Sequence, residues 1–226
     1  MAHDRLVPVG DTAATSTTKV PTMRRSCAAG GLAISMTVLA ACADNAADQG
    51  ADTPATDTQA AVSIQVSVPP APTQTGAAQV RFDPCVRVGD DLVSRAGFDP
   101  ATRERYAAES VSSPYTRIGC QFWREAVVDG EKYPTGLVTL TSSDTTLDEI
   151  RKNPDHSVFG SERIGGRDAV RYRTPQNSTT CSASIASADG TFTVALMVHP
   201  GPVPVPASCD QIGEIAAIFG ESLGNA

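Results

Sequence analysis

Apolar and polar residues alternate near the C-terminal end of the chain, as they do along strands that bury one face. The clearest alternation is carried by four apolar residues, Phe192, Val194, Leu196 and Val198. A second run precedes it, and Asp189-Gly190 between the two is typical of a type I′ hairpin turn. The pattern predicts two antiparallel strands, residues 181–188 and 191–198.

Two further strand pairs follow from the same reasoning, because each has a glycine-containing turn between two strand-like runs. They are residues 157–164 and 169–174 around the turn at 163–168, and residues 119–128 and 136–142 around the turn at Asp129-Gly130. The middle of the chain is therefore predicted to add strands to the same kind of sheet.

Short helices are predicted between these strands. Residues 145–153 follow Asp144, have acidic residues early and basic residues late, and stop before Pro154, as the helix dipole and the proline rule require. Residues 89–96 form an earlier helix that ends at Gly97.

The last helix begins at Cys209 and has apolar residues at spacings of three and four. These residues are Ile212, Ile215, Ala216, Phe219 and Leu223. Ser208 and Gln211 fit a capping box at its start. Strands and helices together predict an α+β fold, a largely antiparallel sheet with a few packed helices.

The N-terminal part has the pattern of an export signal. A short cationic segment begins at Met23, and 14 uncharged, mostly apolar residues follow at 28–41, too few for the roughly 20 that span a bilayer. Residues 39–42, Leu-Ala-Ala-Cys, resemble the bacterial lipobox. We therefore expect residues 1–41 to be a signal region with translation starting at Met23, and Cys42 to be acylated.

A polar segment separates this signal from the strand-rich region. Residues 43–80 contain no Lys, Arg, aromatic residue or Cys, so they bury too little apolar surface to offset ordering. Residues 42–80 are predicted to be the lipidated Cys and a disordered tether, although alternation at 62–68 leaves a short strand open. The folded domain is then residues 81–226.

Export permits disulfides, and four cysteines remain beyond the anchor. They are Cys85, Cys120, Cys181 and Cys209. Four cysteines allow three connectivities, and the sequence does not choose among them. We favour Cys85 with Cys120 and Cys181 with Cys209, because each pair ties a terminal helical segment to a nearby strand. Their spacing does not fit a zinc site, and we predict no metal site.

The charge excludes some partners. Beyond Cys42 there are 14 Lys and Arg against 23 Asp and Glu, a net charge of −9. Nucleic acid is therefore not expected as a partner. The first basic residue after Cys42 is Arg81, so membrane attachment is expected through the lipid rather than through basic side chains.

The sequence contains no catalytic constellation. It has no Gly-x-Ser-x-Gly motif. We interpret His156, which follows Asp155 in a loop, and His199, at a strand end before Pro200, as solvated surface groups. Acidic pairs lie where the first turns of helices favour them. We therefore predict no catalytic residue, no cofactor and no enzyme.

One dipeptide is a candidate binding contact. Trp123, the only tryptophan, follows Phe122 on a predicted strand. Because neighbouring residues of a strand point to opposite faces, one ring is buried and the other is exposed. The sequence leaves open which of the two rings is exposed and available to a partner.

Several short motifs resemble the DUF3558 lipoproteins of actinobacteria. They are Phe-Asp-Pro-Cys at 82–85, Ala-Gly-Phe-Asp-Pro at 96–100, Gly-Cys-Gln-Phe-Trp at 119–123, the Gly-Gly-Arg-Asp turn at 165–168, Cys181 opening a strand and Cys209 opening the last helix. The resemblance covers residues 81–224. It implies a domain anchored on the extracytoplasmic face of the cell membrane. It transfers no catalytic residue, because the family's function is unknown.

These features predict a binding or protein-interaction module at the cell surface, with another envelope protein or a wall polymer as partner. The alternative is a carrier of a lipid or small apolar ligand. It would require an apolar cavity between sheet and helices. An enzyme is the third hypothesis, and no motif supports it.

Overall fold

The structure is a computed structural model that describes residues 62–76, 78–112 and 114–224. The predicted signal region, the start at Met23, the lipidated Cys42 and the tether up to residue 61 lie outside the described residues. Those features stay predictions. No helix of the described part is long and apolar enough to cross a membrane.

One antiparallel sheet contains every strand of the described residues. The strands are β1 (Glu104–Arg105), β2 (Ser110–Ser112), β3 (Tyr115–Val128), β4 (Glu131–Ser143), β5 (Ser157–Ile164), β6 (Arg167–Arg173), β7 (Thr180–Ser187) and β8 (Gly190–Val198). Their order is β1-β3-β4-β8-β7-β6-β5, and β2 also pairs with β3. All three predicted strand pairs are present, and the α+β class is confirmed.

Two of the three hairpins close with two-residue turns of type I′. Such turns need a positive φ at both central residues. Asp129 and Gly130 have φ of 52° and 84°, and Gly165 and Gly166 have φ of 57° and 81°. These turns match the right-handed twist of the strands, so the local sequence sets the register of β3 with β4 and of β5 with β6.

The third hairpin differs from its prediction. Ser187 pairs with Gly190, and neither of the two residues between them has a positive φ, so the turn is not type I′. Asp189 instead has a long-range partner. Its carboxylate accepts hydrogen bonds from the backbone N–H groups of Arg81 and Phe82 at 2.9 and 2.7 Å. The turn thus anchors the chain where it enters α1.

The helices are short except the last. They are α1 (Pro84–Arg87), α2 (Asp90–Arg95), α3 (Leu147–Lys152) and α4 (Ser208–Gly220), with 3-10 turns at Pro100–Thr102 and Glu221–Leu223. Helix α3 begins with a capping box between Thr146 and Glu149 and ends before Pro154. The capping box predicted for α4 is wrong. Its N-cap is Ala207, and the Gln211 side chain donates to the carbonyl oxygens of Pro206 and Ala207.

The helices cover only part of the sheet, and α4 packs on β7 and β8. Fully buried side chains fill this interface, namely Phe122, Val138, Leu140, Ile185, Phe192, Val194 and Leu196 from the sheet with Ile212, Ala216 and Phe219 from α4. We call this side the inner face and the opposite side the outer face. The apolar half of each alternation therefore faces α4.

Two disulfides tie helices to the inner face, in the favoured pairing. Cys85 of α1 joins Cys120 of β3, with Cα atoms 4.9 Å apart, and Cys181 of β7 joins Cys209 of α4, with Cα atoms 5.1 Å apart. Loops of 35 and 28 residues restrict the unfolded chain by an amount worth roughly 3–4 kcal/mol each in the chain-entropy model.

The described residues between 62 and 80, which belong to the predicted tether, form no strand, and some of them hydrogen-bond to the domain. Gln65 donates its backbone N–H to the carboxylate of Asp90 at 2.8 Å, and the carbonyl of Pro69 accepts from Arg105 Nε at 3.0 Å. Composition missed this docking because side chains distant in sequence provide the partners. Hydrogen bonds to the domain therefore extend upstream of residue 81, as far as Gln65 at least.

Arg103 is the buried charge that connects these N-terminal elements. Its guanidinium is fully buried and forms an ion pair with Asp90 at 2.6 Å. It also donates to the carbonyl oxygens of Cys85 and Val88, both at 3.0 Å, and lies 4.9 Å from the centroid of the Phe122 ring. One side chain thus joins both short helices to the sheet.

We predict that Arg103→Met lowers the free energy of unfolding by about 3–5 kcal/mol, because it leaves the Asp90 carboxylate buried without its partner. Urea unfolding of the oxidised, secreted chain would measure this. The matched control is Arg95→Met, which removes an ion pair with Glu221 whose side chains are half exposed. Such a pair contributes little. Equal effects of the two variants would contradict the central role of Arg103.

Candidate functional site

The outer face of the sheet is rich in hydroxyl groups. Its polar side chains are Gln121 of β3, Thr139, Thr141 and Ser143 of β4, Thr191 and Thr193 of β8, and Thr180, Ser182 and Ser184 of β7. The registers align them in rows, as where Thr141 pairs with Thr193 and Thr193 with Ser184. These positions are the polar half of the alternation whose apolar half forms the core.

Two cavities of about 470 and 280 Å³ lie on this outer face. Four side chains line both cavities, namely Arg117, Thr141, Tyr172 and Thr193. The cavities are therefore neighbouring parts of one depression, which we call the sheet groove. The larger part reaches the C-terminal end of α3, and the smaller part lies over the middle of β4 and β8.

Tyr106 forms one wall of the smaller cavity because Gly119 leaves room for it. A Cβ atom at position 119 would lie 3.3 Å from the Cβ of Tyr106 and 2.6 Å from the carbonyl oxygen of Leu140. The backbone N–H of Tyr106 also donates to the Gly119 carbonyl at 3.1 Å. The glycine thus lets the aromatic side chain approach the edge of the sheet.

At the other end, His156 stacks on Tyr172 with ring centroids 4.2 Å apart. Its Nδ1 lies 2.9 Å from the carbonyl oxygen of Ile150, so Nδ1 carries the proton and Nε2 faces the Asn153 amide at 3.4 Å. Both ring nitrogens therefore have partners that hold the ring against Tyr172. The histidine fixes a wall of the groove.

Two carboxylates line the larger cavity, and each has a local partner. Asp144 accepts from the backbone N–H of Thr116 at 2.9 Å. Glu149 accepts from the backbone N–H and the hydroxyl of Thr146, both at 2.7 Å. The hydrogen bond from the Thr146 backbone, helped by that from its hydroxyl, holds the pKa of Glu149 below its ordinary value. Both groups retain lone pairs that can accept ligand hydroxyls.

The structure separates the roles of Phe122 and Trp123. Phe122 is fully buried in the core, and Trp123 is partly exposed on the outer face, paired with Leu137. The Trp123 ring packs on His199 at 5.5 Å between centroids, and its Nε1–H donates to Glu104 at 3.3 Å. Of the two predicted candidates, Trp123 is the one that a ligand can contact.

The space in which an apolar carrier would hold its ligand is filled. Phe122, Phe192 and Leu196 belong to the same cluster of buried side chains as Ile212, Ala216 and Phe219 of α4, and all six are fully buried. The two cavities described above lie on the opposite face and have many hydroxyl groups in their lining. The structure therefore gives no support to the carrier hypothesis in its predicted form.

No histidine of the described residues contacts a carboxylate. His156 has the two partners given above, and His199 packs on Trp123 with a buried Nε2 that has no hydrogen-bond partner within the described part. The same part contains no group of three His, Cys, Asp or Glu side chains placed to hold a metal ion.

Sequence reasoning missed most of this site. It singled out Trp123 but neither Arg117 nor Tyr172, nor the hydroxyl-bearing residues around them. A signal was available, since the residues between the apolar positions of β4 and β8 are threonine and alanine rather than the charged residues usual on a solvent-facing strand. Which of those strands lie side by side was not readable locally.

We predict that Thr146→Ala raises the pKa of Glu149 part of the way to its ordinary value, because the hydroxyl is lost and the backbone N–H remains. Since the folded-state pKa is the lower one, this carboxylate stabilises the fold above its unfolded-state pKa, and the contribution is lost as pH falls through the folded-state pKa. Carboxyl ¹³C NMR titration would measure the change, with Thr139→Ala as control. An unaltered Glu149 titration would contradict it.

Comparison with known proteins gives a family and no characterised relative. A family model described as "Protein of unknown function (DUF3558)" matches residues 37–220 of the chain. No curated protein matches, and no solved structure matches. The match covers the whole sheet and all of α4, and it begins upstream of Cys42.

Proposed function

The chain belongs to the DUF3558 family of proteins of unknown function, and we propose that it is an envelope-anchored lipoprotein that binds a polar wall polymer in the sheet groove. The observation that carries this proposal is the asymmetry of the sheet. Helices and disulfides cover its inner face, whereas a continuous groove of hydroxyl and aromatic side chains occupies its outer face.

The lining of the groove suits a polyhydroxylated ligand. Threonine and serine hydroxyls donate and accept hydrogen bonds, and amides such as Gln121 do both through separate atoms. Tyr106 and Tyr172 provide apolar ring surfaces that can pack against the C–H faces of sugar rings. Trp123 lies outside the lining but on the same face of the sheet, paired with Leu137 of the lining. This combination favours a glycan over an apolar ligand.

The shape of the site favours a polymer chain over a protein surface. A standard protein interface buries roughly 800 Å² on each partner and is nearly flat. The groove is instead a depression that spans two adjoining cavities. A single extended chain fits such a depression. An envelope protein would need to insert a segment into it.

The location is proposed from the lipobox at residues 39–42 and from the two disulfides. Disulfides persist in oxidising compartments, which agrees with export. Acylation at Cys42 would hold the domain at the membrane, where the wall polymer is within reach.

We expect Cys42→Ser to abolish incorporation of labelled palmitate and to move the protein from the membrane fraction to the medium or to an unprocessed precursor. Metabolic labelling followed by fractionation would measure both. Cys27→Ser, which changes the cysteine inside the predicted signal, is the control and should leave labelling intact. Palmitate retained in Cys42→Ser would contradict the anchor.

We expect the secreted, oxidised chain to co-sediment with purified insoluble cell wall and Ala195→Trp to weaken this binding about tenfold or more. Ala195 lines the smaller cavity, and an indole there fills it. The control is Val127→Trp, which adds the same ring at a strand position 67% exposed and outside the groove. If Ala195→Trp binds the wall as strongly as the unaltered protein, the proposal is wrong.

A further inference from the structure

Arg117 lies at the junction of the two parts of the sheet groove. It lines both cavities. Its guanidinium packs 5.3 Å from the ring of Tyr115, and Nη2 is 3.4 Å from the hydroxyl of the same residue. Arg117 takes part in no ion pair within the described residues.

The other two nitrogen atoms of this guanidinium also have no hydrogen-bond partner among the described residues. Nε is buried and has no hydrogen-bond partner in the described part of the chain, and no hydrogen bond involves Nη1 there. A partly desolvated guanidinium without a counter-charge is unfavourable. An anion in the groove would relieve this, and charge-assisted hydrogen bonds from arginine to carboxylate or phosphate are among the stronger ones.

Charges around Arg117 are distributed unevenly along the groove. In the smaller cavity it is the only charged side chain, whereas Asp144 and Glu149 line the larger one. The chain as a whole has a net charge of −7, but exposed charges beyond about 8 Å are largely screened at physiological ionic strength. The charge in the lining of the smaller cavity is therefore positive, and the nearby Glu104 carboxylate is engaged by the side chains of Gln121 and Trp123.

We propose that the sheet groove selects an acidic polyhydroxylated polymer and that Arg117 binds its anionic group, a carboxylate or a phosphate. This inference rests on the proposed function and names the chemistry of the ligand. The anionic group lies on the side of the smaller cavity. Asp144 and Glu149 accept neutral hydroxyls in the larger cavity and repel a second anion there. The ligand thus binds in one direction.

The test uses the full chain, purified in lauryldimethylamine oxide so that no sugar detergent competes for the groove. The probe is insoluble cell wall from the producing strain in three forms. One form is intact, one has its carboxylates converted to amides, and one has its phosphodiesters removed with hydrofluoric acid. We expect binding to one of the treated walls to be about tenfold weaker than to intact wall, and which treatment acts identifies the anionic group.

Variants of Arg117 test the same interaction by changing the protein instead of the wall. Arg117→Gln should bind intact wall about tenfold more weakly and lose its sensitivity to the treatment, whereas Arg117→Lys should keep part of that sensitivity. The control is Arg87→Gln, which removes an equal charge from an exposed position on α1 and should bind like the unaltered protein. The treated walls test the charge without any substitution, so a misfolded variant does not block the experiment.

The outcomes separate this inference from the proposed function. In one outcome, Ala195→Trp abolishes binding to intact wall, but the unaltered protein binds both treated walls as strongly as intact wall, and Arg117→Gln binds intact wall as strongly as the unaltered protein does. The groove then takes a neutral polymer, and the inference is overturned. If the unaltered protein does not bind intact wall, the proposed function itself fails.

Discussion

The buried guanidinium of Arg103 imposes a constraint that the N-terminal half of the domain must satisfy. A charge in the interior is tolerated only when a counter-charge and hydrogen-bond acceptors surround it. Asp90 supplies the charge, and the carbonyl groups of Cys85 and Val88 supply the acceptors. Asp90 in turn accepts the backbone N–H of Gln65. Both short helices and the preceding segment are therefore positioned by one interior ion pair.

The position of Arg103 also affects the outer face, because the next residue in the chain is Glu104. Glu104 begins β1, and because it pairs with Gln121 it lies on the side of the sheet opposite the core. Its carboxylate accepts hydrogen bonds from the side chains of Gln121 and Trp123. The interior network that fixes Arg103 thus also fixes the carboxylate that holds the exposed tryptophan. Stability and the candidate site are connected across the thickness of the sheet.

The proposed function depends on the different roles of the two faces of the sheet. Helix α4, the disulfides and the aromatic core complete the inner face, so the outer face is not needed for burial. Threonine fits the pleated surface of a strand and presents a hydroxyl at little cost to strand stability. Arg117, which forms no ion pair within the described residues, then gives the smaller cavity a preference for one charge.

The sequence by itself determined the elements and their local connections. The alternation around Phe192, the type I′ turns at Asp129 and Gly165, and the stop of α3 before Pro154 are short-range features, so the residues concerned fix them without the rest of the fold. The motifs also identified the family. The capping box predicted for α4 was wrong because Ser208 and Gln211 both lie near the start of the helix, and the sequence does not decide which residue is the N-cap.

The tertiary structure decided what depends on residues far apart in the chain. Only the tertiary structure shows that Phe122 faces the core and Trp123 the outer face. Only a long-range partner, Asp90, explains why Gln65 of the predicted tether hydrogen-bonds to the domain. Arg117 is likewise one arginine among many until the sheet leaves it without a counter-charge. Local patterns encode which face is buried, whereas the surroundings of a charge are set by the packing of distant elements.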